Sequence, residues 1–259
     1  MTLSSHCRSH GSVRDEPARV TSYGELSHGK GPGPGIIPLM HDGIDRVNLR
    51  RWLRVYVVTS TGLVSGRGHI DLARAALKGR ATAVQLRAPE LRPEELLVLA
   101  SALAALCRRA GTLFVVNDVV SVALTSGADG VHLGQGDDLV GTRDRLGPDR
   151  VLGISVETAL QARRAEDLGA DYLGVTVWSS STKSEAVPAG LDGLREVVAA
   201  TGLPVVGIGG IDASNARQVL EAGAAGVAVV SAVGAAPDPV AATRDLVAAV
   251  GPFEGEGAT

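Results

Sequence analysis

Short apolar runs alternate with longer amphipathic stretches from about residue 54 onward, and this alternation limits the folds open to the chain. The runs are rich in Val and Ile and several are apolar throughout, which is typical of strands buried on both faces of a parallel sheet. We predict eight strands, at residues 55–59, 83–87, 113–117, 130–133, 151–155, 172–177, 205–208 and 226–230.

The stretches between these runs have the apolar spacing of helices. Residues 92–110 have acidic side chains near their start and arginines near their end, which suits a helix dipole, and residues 158–168 and 214–222 each end at a glycine. Eight strands alternating with eight helices over roughly 195 residues predict an α/β fold, a single (β/α)8 TIM barrel. A doubly wound open sheet is the alternative, but no GxGxxG fingerprint follows the first strand.

Residues 1–50 differ in composition from the rest of the chain. They hold a glycine- and proline-rich run at residues 29–35, four of the six histidines and one short apolar cluster. Such a segment buries too little apolar area to offset its conformational entropy, and its histidines match no metal-ligand spacing. We therefore predict a disordered N-terminal extension over residues 1–50, a catalytic barrel over residues 51–250 and a C-terminal tail over residues 251–259.

Charge and hydropathy exclude several classes of protein. The formal net charge of −3 gives no general attraction to nucleic acid or to anionic membranes. No apolar run approaches the roughly 18 residues of a membrane span, and the N-terminal residues lack the apolar core of a signal peptide. Cys7 and Cys107 lie far apart, which argues against a disulfide framework. We expect a cytoplasmic protein; homo-oligomerisation stays open.

The active site of a (β/α)8 barrel lies at the carboxyl ends of its strands. Polar residues or glycines stand at nearly all of these positions here, which is more than an inert barrel needs. The candidate site residues are Gln85, Arg87, Asn117, Asp118, Asp137, Ser155, Ser180, Ser181, Thr182, Lys183, Gly209, Gly210, Val230 and Ser231.

Two aspartates among these candidates suggest a metal site. Asp118 and Asp137 follow the adjacent third and fourth strands, so their carboxylates can converge on one hard cation. Magnesium prefers few carboxylates together with waters and substrate phosphates, as at a site that handles a diphosphate. The alternative is that each aspartate caps the helix that follows it.

Anion binding is the second prediction for this rim. Gly209 and Gly210 follow the seventh strand and Val230 and Ser231 follow the eighth, where barrels often bind phosphate through backbone N–H groups. Lys183 and the hydroxyls before it form a loop that can close on a second anion. The alternatives are a simple turn at the glycines and a flexible serine-rich loop with an incidental lysine.

Three further residues give weaker signals. We interpret His132 as a structural histidine hydrogen-bonded to backbone rather than as a catalytic base. Trp178 either offers its ring to a heterocycle or packs in the core. Cys107 lies on a predicted helix and is expected in the core.

Nine motifs, in this order, resemble the thiamine phosphate synthase family: YVVT, VQLR, VVND, GADGVHLGQGD, LGISV, GADYLGV, STK, PVVGIGGI and GVAVVSAV. The resemblance covers about residues 55–250, and VHLGQ-x-D with a later TK and IGGI is its most specific part. It implies a transferase that joins hydroxymethylpyrimidine diphosphate to a thiazole phosphate, or to its 2-carboxy form, and releases pyrophosphate. The family reaction looks dissociative, so the enzyme chiefly positions its substrates and stabilises the leaving diphosphate.

The resemblance also implies roles for the residues on the diphosphate side of the site. Gln85 and Arg87, together with Asn117, would contact the pyrimidine diphosphate. Asp118 and Asp137 would hold Mg²⁺, the implied cofactor, on that diphosphate.

On the other side of the site, the resemblance implies Ser155 and Lys183 as the catalytic residues. Ser155 would hydrogen-bond the reacting pyrimidine or the leaving group, and Lys183 would neutralise pyrophosphate. Residues 180–182 would meet the thiazole phosphate, and residues 209–210 and 230–231 would cradle its phosphate group.

The sequence departs from the family pattern at three places. Pro89 stands where the family usually has a lysine, and Val119 stands where it usually has an arginine. The loop after the sixth strand is about one residue shorter, and Ser180 replaces a threonine. Each lost cation removes charge-assisted hydrogen bonds worth roughly 1.5–3 kcal/mol, so we expect weaker activity or a changed substrate.

Two other functions therefore stay open. A thiazole tautomerase would bind the thiazole phosphate without diphosphate or magnesium, but residues 155–157 offer no histidine as a proton shuttle. A non-catalytic paralogue that binds a phosphorylated ligand is favoured by Pro89 and Val119. Magnesium-dependent binding without turnover would identify it.

Overall fold

Eight parallel strands close into a barrel in the computed structural model, which describes residues 48–64, 66–134, 139–179 and 187–252. Each strand pairs with the next along the chain, and the last pairs with the first. The strands are β1 Val55–Thr59, β2 Ala83–Leu86, β3 Leu113–Asn117, β4 Gly130–Leu133, β5 Val151–Ser155, β6 Tyr172–Thr176, β7 Val205–Ile208 and β8 Gly226–Val229. The predicted (β/α)8 TIM barrel is confirmed.

Helices alternate with these strands. They are α1 Leu49–Trp52, α2 His69–Lys78, α3 Pro93–Ala110, α4 Val120–Ser126, α5 Thr142–Leu146, α6 Ala159–Asp167, α7 Gly190–Ala200, α8 Ala216–Glu221, α9 Ser231–Gly234 and α10 Pro239–Val250. The helices predicted from residues 92 and 158 begin one residue later than expected because Arg92 and Thr158 occupy their N-cap positions. None of the described helices is long and apolar enough to cross a membrane.

Two layers of apolar side chains hold the barrel together. The larger layer lies between the strands and the surrounding helices and includes Cys107, so the expected core position of this thiol is confirmed. The smaller layer fills the barrel interior with residues such as Tyr56, Val115, Val206 and Ala228. These inward residues alternate with outward ones along each strand, as the two-residue period of a strand requires.

Helix α1 closes the amino-terminal end of this interior. Leu49, Trp52 and Leu53 are almost fully buried and pack with the inward residues of the barrel. Leu49 and Arg50 thus belong to an ordered helix, although the sequence placed them at the end of the extension. Residues 1–47, which make up the rest of the predicted extension, lie outside the described residues.

Candidate active site

A pocket opens at the carboxyl end of the barrel interior. It continues the inward face of the strands, because two residues beyond apolar Ala83 comes Gln85, and two beyond Val115 comes Asn117. The lining residues are Tyr56, Val58, Gln85, Arg87, Asn117, His132, Ser155, Tyr172, Gly174, Thr176, Val206, Ile208, Gly209, Ala228 and Val230. The interior therefore changes from apolar to polar toward this end.

The structure brings together part of the set of predicted site residues. Six of them line the pocket: Gln85, Arg87, Asn117, Ser155, Gly209 and Val230. Three more are the direct neighbours of lining residues in sequence: Asp118, Gly210 and Ser231. The other five lie outside the described residues: Asp137, Ser180, Ser181, Thr182 and Lys183.

Five side chains form a continuous hydrogen-bonded chain along the pocket floor. The Gln85 Nε2 group donates to the Tyr56 hydroxyl at 2.9 Å, and the Tyr56 and Tyr172 hydroxyl oxygens are 3.0 Å apart. The Tyr172 hydroxyl lies 3.0 Å from His132 Nδ1, and His132 Nε2 lies 3.0 Å from the Ser155 hydroxyl. We call these five residues the pocket chain.

The direction of the pocket chain follows from the donors available. Because the Tyr56 hydroxyl accepts from Gln85, its own hydrogen can be donated to Tyr172. Tyr172 then donates to Nδ1 of the imidazole, whose proton lies on Nε2 and is donated to Ser155. The reverse order would require the Gln85 side-chain amide to turn, so that its oxygen instead of Nε2 meets the Tyr56 hydroxyl.

This order determines what the pocket offers to a ligand. Ser155 keeps its own hydroxyl hydrogen for donation, and Gln85 keeps its side-chain oxygen as an acceptor. Burial raises the pKa of Tyr56 and of Tyr172 far above the ordinary value, so both phenols stay protonated. The floor is thus a neutral surface with one donor and one acceptor in fixed places.

The structure corrects the expected surroundings of His132. We expected a histidine held by backbone groups, but both ring nitrogens contact side chains, and the ring lines the pocket. It also packs beside the Tyr172 ring, with centroids 5.4 Å apart. It belongs to the site.

Two glycines on neighbouring strands make room for this imidazole. A Cβ atom on Gly153 would lie 2.5 Å from His132 Nδ1 and would also overlap the Tyr172 ring. A Cβ atom on Gly174 would lie 3.1 Å from His132 Cε1. Only glycine leaves the space in which His132 and Tyr172 meet.

The predicted phosphate loop has the backbone that its glycines suggest. Gly209 and Gly210 both have left-handed φ angles, of 89° and 66°. A Cβ atom on Gly209 would lie 3.1 Å from the Ser179 carbonyl oxygen, so the loop passes close to the start of the β6–α7 connection. Asn215 donates to the Gly210 carbonyl at 2.9 Å and fixes the turn. Val230 is the N-cap of α9.

Asp118 does not have the helix-capping position that was the alternative to metal binding. The N-cap of α4 is Val119, whose side chain cannot accept a hydrogen bond. Asp118 instead has a left-handed φ of 63°, which is costly for a residue with a side chain. Its N–H donates to the His132 carbonyl at 2.9 Å, which ties the end of β3 to β4.

The two described departures from the family pattern have different surroundings. Pro89 is exposed, whereas Val119 is half-buried and packs against the outer apolar layer. Trp178 also packs partly buried against this layer.

Tyr56 and Tyr172 are site residues that the sequence did not reveal. Both stand inside strands that read as apolar runs, and neither is among the candidate site residues taken from the strand ends. The sequence does contain one signal for them. Residues two apart on a strand point to the same face, so Tyr172 lies on the face of Gly174 and Tyr56 on the face of Val58.

Comparison with known proteins gives a consistent result. A family model described as thiamine monophosphate synthase matches residues 55–233. The thiamine-phosphate synthase of Moorella thermoacetica is 49% identical over 196 residues, which cover 74% of this chain and 93% of that protein. The thiamine-phosphate synthase of Methanoregula boonei is 46% identical over 197 residues, covering 75% of this chain and 91% of that protein.

Among solved structures, thiamine phosphate pyrophosphorylase from Pyrococcus furiosus is similar to this chain. It aligns with a TM-score of 0.73 at 40% identity, covering 78% of this chain and 98% of that one. A 3-hexulose-6-phosphate synthase aligns with a TM-score of 0.60 at 20% identity, covering 75% of this chain and 99% of that one, a likeness of fold alone.

Proposed function

Because the chain belongs to the thiamine monophosphate synthase family, we propose that it makes thiamine phosphate. It joins 4-amino-2-methyl-5-hydroxymethylpyrimidine diphosphate to 4-methyl-5-(2-phosphoethyl)thiazole, or to its 2-carboxy form, and releases pyrophosphate. The observation that supports this most is the pocket at the carboxyl end of the barrel, where Gln85, Arg87, Asn117 and Ser155 converge.

The pocket chain suits an aminopyrimidine. Such a ring presents an amino group that donates and a ring nitrogen that accepts. The Gln85 side-chain oxygen is available to accept from the amino group, because its Nε2 already donates to Tyr56. The Ser155 hydroxyl is available to donate to the ring nitrogen, because it already accepts from His132. A polar edge matched in this way is bound with its orientation fixed.

The chemistry needs little from the protein beyond position and charge. The bond between the methylene carbon and the diphosphate oxygen breaks, and both electrons leave with pyrophosphate. The thiazole nitrogen then donates its lone pair to the methylene carbon and becomes the positively charged nitrogen of the product. No proton is released with the plain thiazole, so no general base is required. The 2-carboxy form additionally loses carbon dioxide, and C2 of its ring takes up one proton from water in place of the carboxylate.

Arg87 is the described cation that we assign to the diphosphate. It lines the pocket directly after β2, and its backbone N–H donates to the Thr59 carbonyl at 3.3 Å. Lys183, which lies outside the described residues, is proposed to neutralise the departing pyrophosphate. Since Pro89 and Val119 offer no charge, we expect weaker diphosphate binding than in relatives that have both cations.

Magnesium is proposed to bind Asp118 and Asp137. Asp118 fits this role because it directly follows the pocket residue Asn117 and does not occupy the N-cap position of α4. Magnesium usually takes one or two protein carboxylates plus waters and phosphate oxygens. It does not need the larger cluster of acidic, His or Cys side chains, which the described residues do not form. When bound, the ion would offset negative charge on the leaving diphosphate.

A second candidate function is supported by the loss of charge at Pro89 and Val119. A non-catalytic paralogue would bind the phosphorylated ligands in the same pocket but would not join them. It would show magnesium-dependent binding and no product.

The proposed function is tested by incubating the purified protein with both substrates and magnesium and following thiamine phosphate and pyrophosphate by mass spectrometry. We expect both products in equal amounts, and we expect them to disappear with a chelator and to fall strongly in Asp118→Ala. A matched control is Asp149→Ala, which should leave the rate unchanged because Asp149 is exposed and lies just before the start of β5, away from the carboxyl ends of the strands. A folded protein that binds thiazole phosphate but gives no product would contradict the synthase.

A further inference from the structure

Four polar side chains meet beside the pocket, at the carboxyl ends of β1 and β2. Thr59 ends β1, Thr61 lies in the loop after it, and His69 begins α2. Glu90 lies in the loop between β2 and α3. Thr59 is fully buried, the His69 side chain is 5% exposed, and the Glu90 side chain is 48% exposed. Neither the pocket chain nor the proposed reaction accounts for these residues.

Their contacts form a second chain of hydrogen bonds. The Thr59 hydroxyl donates to the Gln85 carbonyl at 3.1 Å and lies 2.9 Å from His69 Nδ1. On the other side of the ring, His69 Nε2 lies 3.5 Å from Glu90 Oε1. Glu90 Oε1 also accepts from the Thr61 hydroxyl at 2.7 Å.

The proton on the His69 ring can be placed from these contacts. A threonine hydroxyl has a single hydrogen, and Thr59 uses it on the Gln85 carbonyl. Thr59 must therefore accept from His69, so Nδ1 holds the ring proton. Nε2 is then an unprotonated, buried nitrogen that makes no hydrogen bond to any residue the structure describes and faces a carboxylate oxygen.

With the ring proton on Nδ1, no proton lies between His69 Nε2 and the Glu90 carboxylate. If the ring proton moved to Nε2 to meet Glu90, the Thr59 hydroxyl would turn to Nδ1 and its hydrogen bond to the Gln85 carbonyl would be lost. A second proton on the ring satisfies both sides at once, with Nδ1 donating to Thr59 and Nε2 donating to Glu90. The order carboxylate, imidazole, hydroxyl is also that of a catalytic triad, but Thr59 is buried and cannot reach a substrate.

Thr59 connects this group to the active site. Its hydroxyl contacts the Gln85 carbonyl, and its own carbonyl accepts the Arg87 N–H at 3.3 Å. Gln85 on β2 and Arg87 directly after it both line the pocket. The backbone that presents both of them is therefore held through one threonine, which His69 orients.

We propose that His69 is a positioning residue for the pyrimidine diphosphate, acting through Thr59 on Gln85 and Arg87, and that a proton shared with Glu90 tightens this hold. The proposal rests on the proposed function. It implies that the KM for the pyrimidine diphosphate falls on acidification as His69 takes up its proton, while the KM for the thiazole phosphate does not change.

The groups around His69 set the pH range of this effect. Burial lowers the pKa of His69 below its ordinary value, and the nearby Glu90 partly offsets this. The other acidic group at the start of α2 is Asp71, which accepts the Gly68 N–H. The charged residues of the helices packed against α2 are Glu94, Glu95, Arg108 and Arg109 on α3 and Arg244 and Asp245 on α10, together with the N-cap residues Arg92 and Asp238.

The first test does not depend on activity. Nitrogen NMR of the imidazole groups in the full-length wild type at neutral pH reports which ring nitrogen of His69 holds the proton, with His69→Gln used for assignment. We expect Nδ1 protonated and Nε2 bare, which is the less common tautomer. A proton on Nε2 with bare Nδ1 would overturn the proposal, even if the protein made no thiamine phosphate.

The second test separates positioning from folding. We expect His69→Ala to raise the KM for pyrimidine diphosphate about two- to tenfold, as for the loss of one hydrogen bond, with a smaller change in kcat. His69→Asn should restore most of the KM, because its amide can still donate to Thr59. In Glu90→Gln the new side-chain amide can donate to unprotonated Nε2, so the ring needs no second proton and the KM should stay low at every pH. The control Glu94→Gln, at an exposed neighbouring site, should behave as wild type.

Equal changes in both KM values, or a pH dependence that persists in Glu90→Gln, would contradict the proposal. If the wild type gives no product, the proposed function fails on its own. The same variants are then compared by calorimetric titration with the pyrimidine diphosphate, where the Kd should follow the pattern given for the KM. A Kd that is unchanged in His69→Ala would refute the positioning role.

Discussion

Single atoms determine the properties of the pocket floor. The Tyr172 hydroxyl links Tyr56 to His132, and so it sets which nitrogen of the imidazole is protonated and which way Ser155 donates. The absence of a Cβ atom at Gly153 is equally important, because a Cβ atom there would overlap the rings of His132 and Tyr172. Two predictions belong to this scale.

Tyr172→Phe removes one hydroxyl, and with it the hydrogen bonds to Tyr56 and His132, and is expected to lower kcat/KM about tenfold or more. Because Ser155 is then no longer oriented, adding Ser155→Ala to this variant should cost less than it does in the wild type. Steady-state kinetics of the two single variants and the double variant measure this. Strictly additive effects would show that Tyr172 does not act through Ser155.

Gly153→Ala is expected to destabilise the protein by about 1–3 kcal/mol, as overpacking of a core does, and to abolish most of the activity. The matched control is Gly202→Ala, where the nearest atom to the new Cβ is Glu166 Oε1 at 3.6 Å. Thermal unfolding followed by circular dichroism compares the two. A Gly153→Ala protein as stable and active as the control would show that the glycine is not needed for space.

At the scale of elements, β3 and β4 are linked by a carboxyl group whose pKa is raised. Asp129 comes just before β4 and accepts the Phe114 N–H of β3 at 2.7 Å. Burial raises the pKa of Asp129 to about 6, although this hydrogen bond and the nearby Arg108 and Arg150 act in the opposite direction. The folded protein therefore holds this proton at a pH where the unfolded chain has released it.

The sign of the resulting pH effect follows directly. Between pH of about 4 and 6 the folded state binds more protons at Asp129 than the unfolded state, so the free energy of unfolding falls as the pH rises. A shift from 3.8 to about 6 corresponds to about 3 kcal/mol. Asp129→Asn should lack this fall, as urea unfolding at pH 4 and pH 7 will show. The same pH slope in both proteins would contradict the assignment.

The elements themselves could be predicted well from the sequence. Five of the eight strands have the predicted bounds, and the other three end one residue earlier, before Arg87, Val177 and Val230. Buried parallel strands leave a strong signal because both faces are apolar. Helix α1 was missed because it has only 4 residues, and because its burial depends on the barrel end that it closes.

At the scale of the whole molecule, closure of the barrel turns distant residues into neighbours. The rule that barrel sites lie at the carboxyl ends of strands predicted Gln85, Asn117 and Ser155 as pocket residues. It did not predict Tyr56 or Tyr172, which stand deeper in their strands. Their role depends on partners from other strands, which a single sequence does not pair. His69 and Glu90 were missed for the same reason.

Orientation of the pyrimidine by the pocket chain can be seen in a crystal structure of the protein with thiamine phosphate, pyrophosphate and magnesium. We expect the pyrimidine amino group within hydrogen-bond distance of the Gln85 side-chain oxygen and a ring nitrogen within the same distance of the Ser155 hydroxyl. Pyrophosphate should lie beside Arg87 and Asp118. A pyrimidine bound outside this pocket, or turned so that neither Gln85 nor Ser155 contacts it, would show that the pocket chain does not orient it.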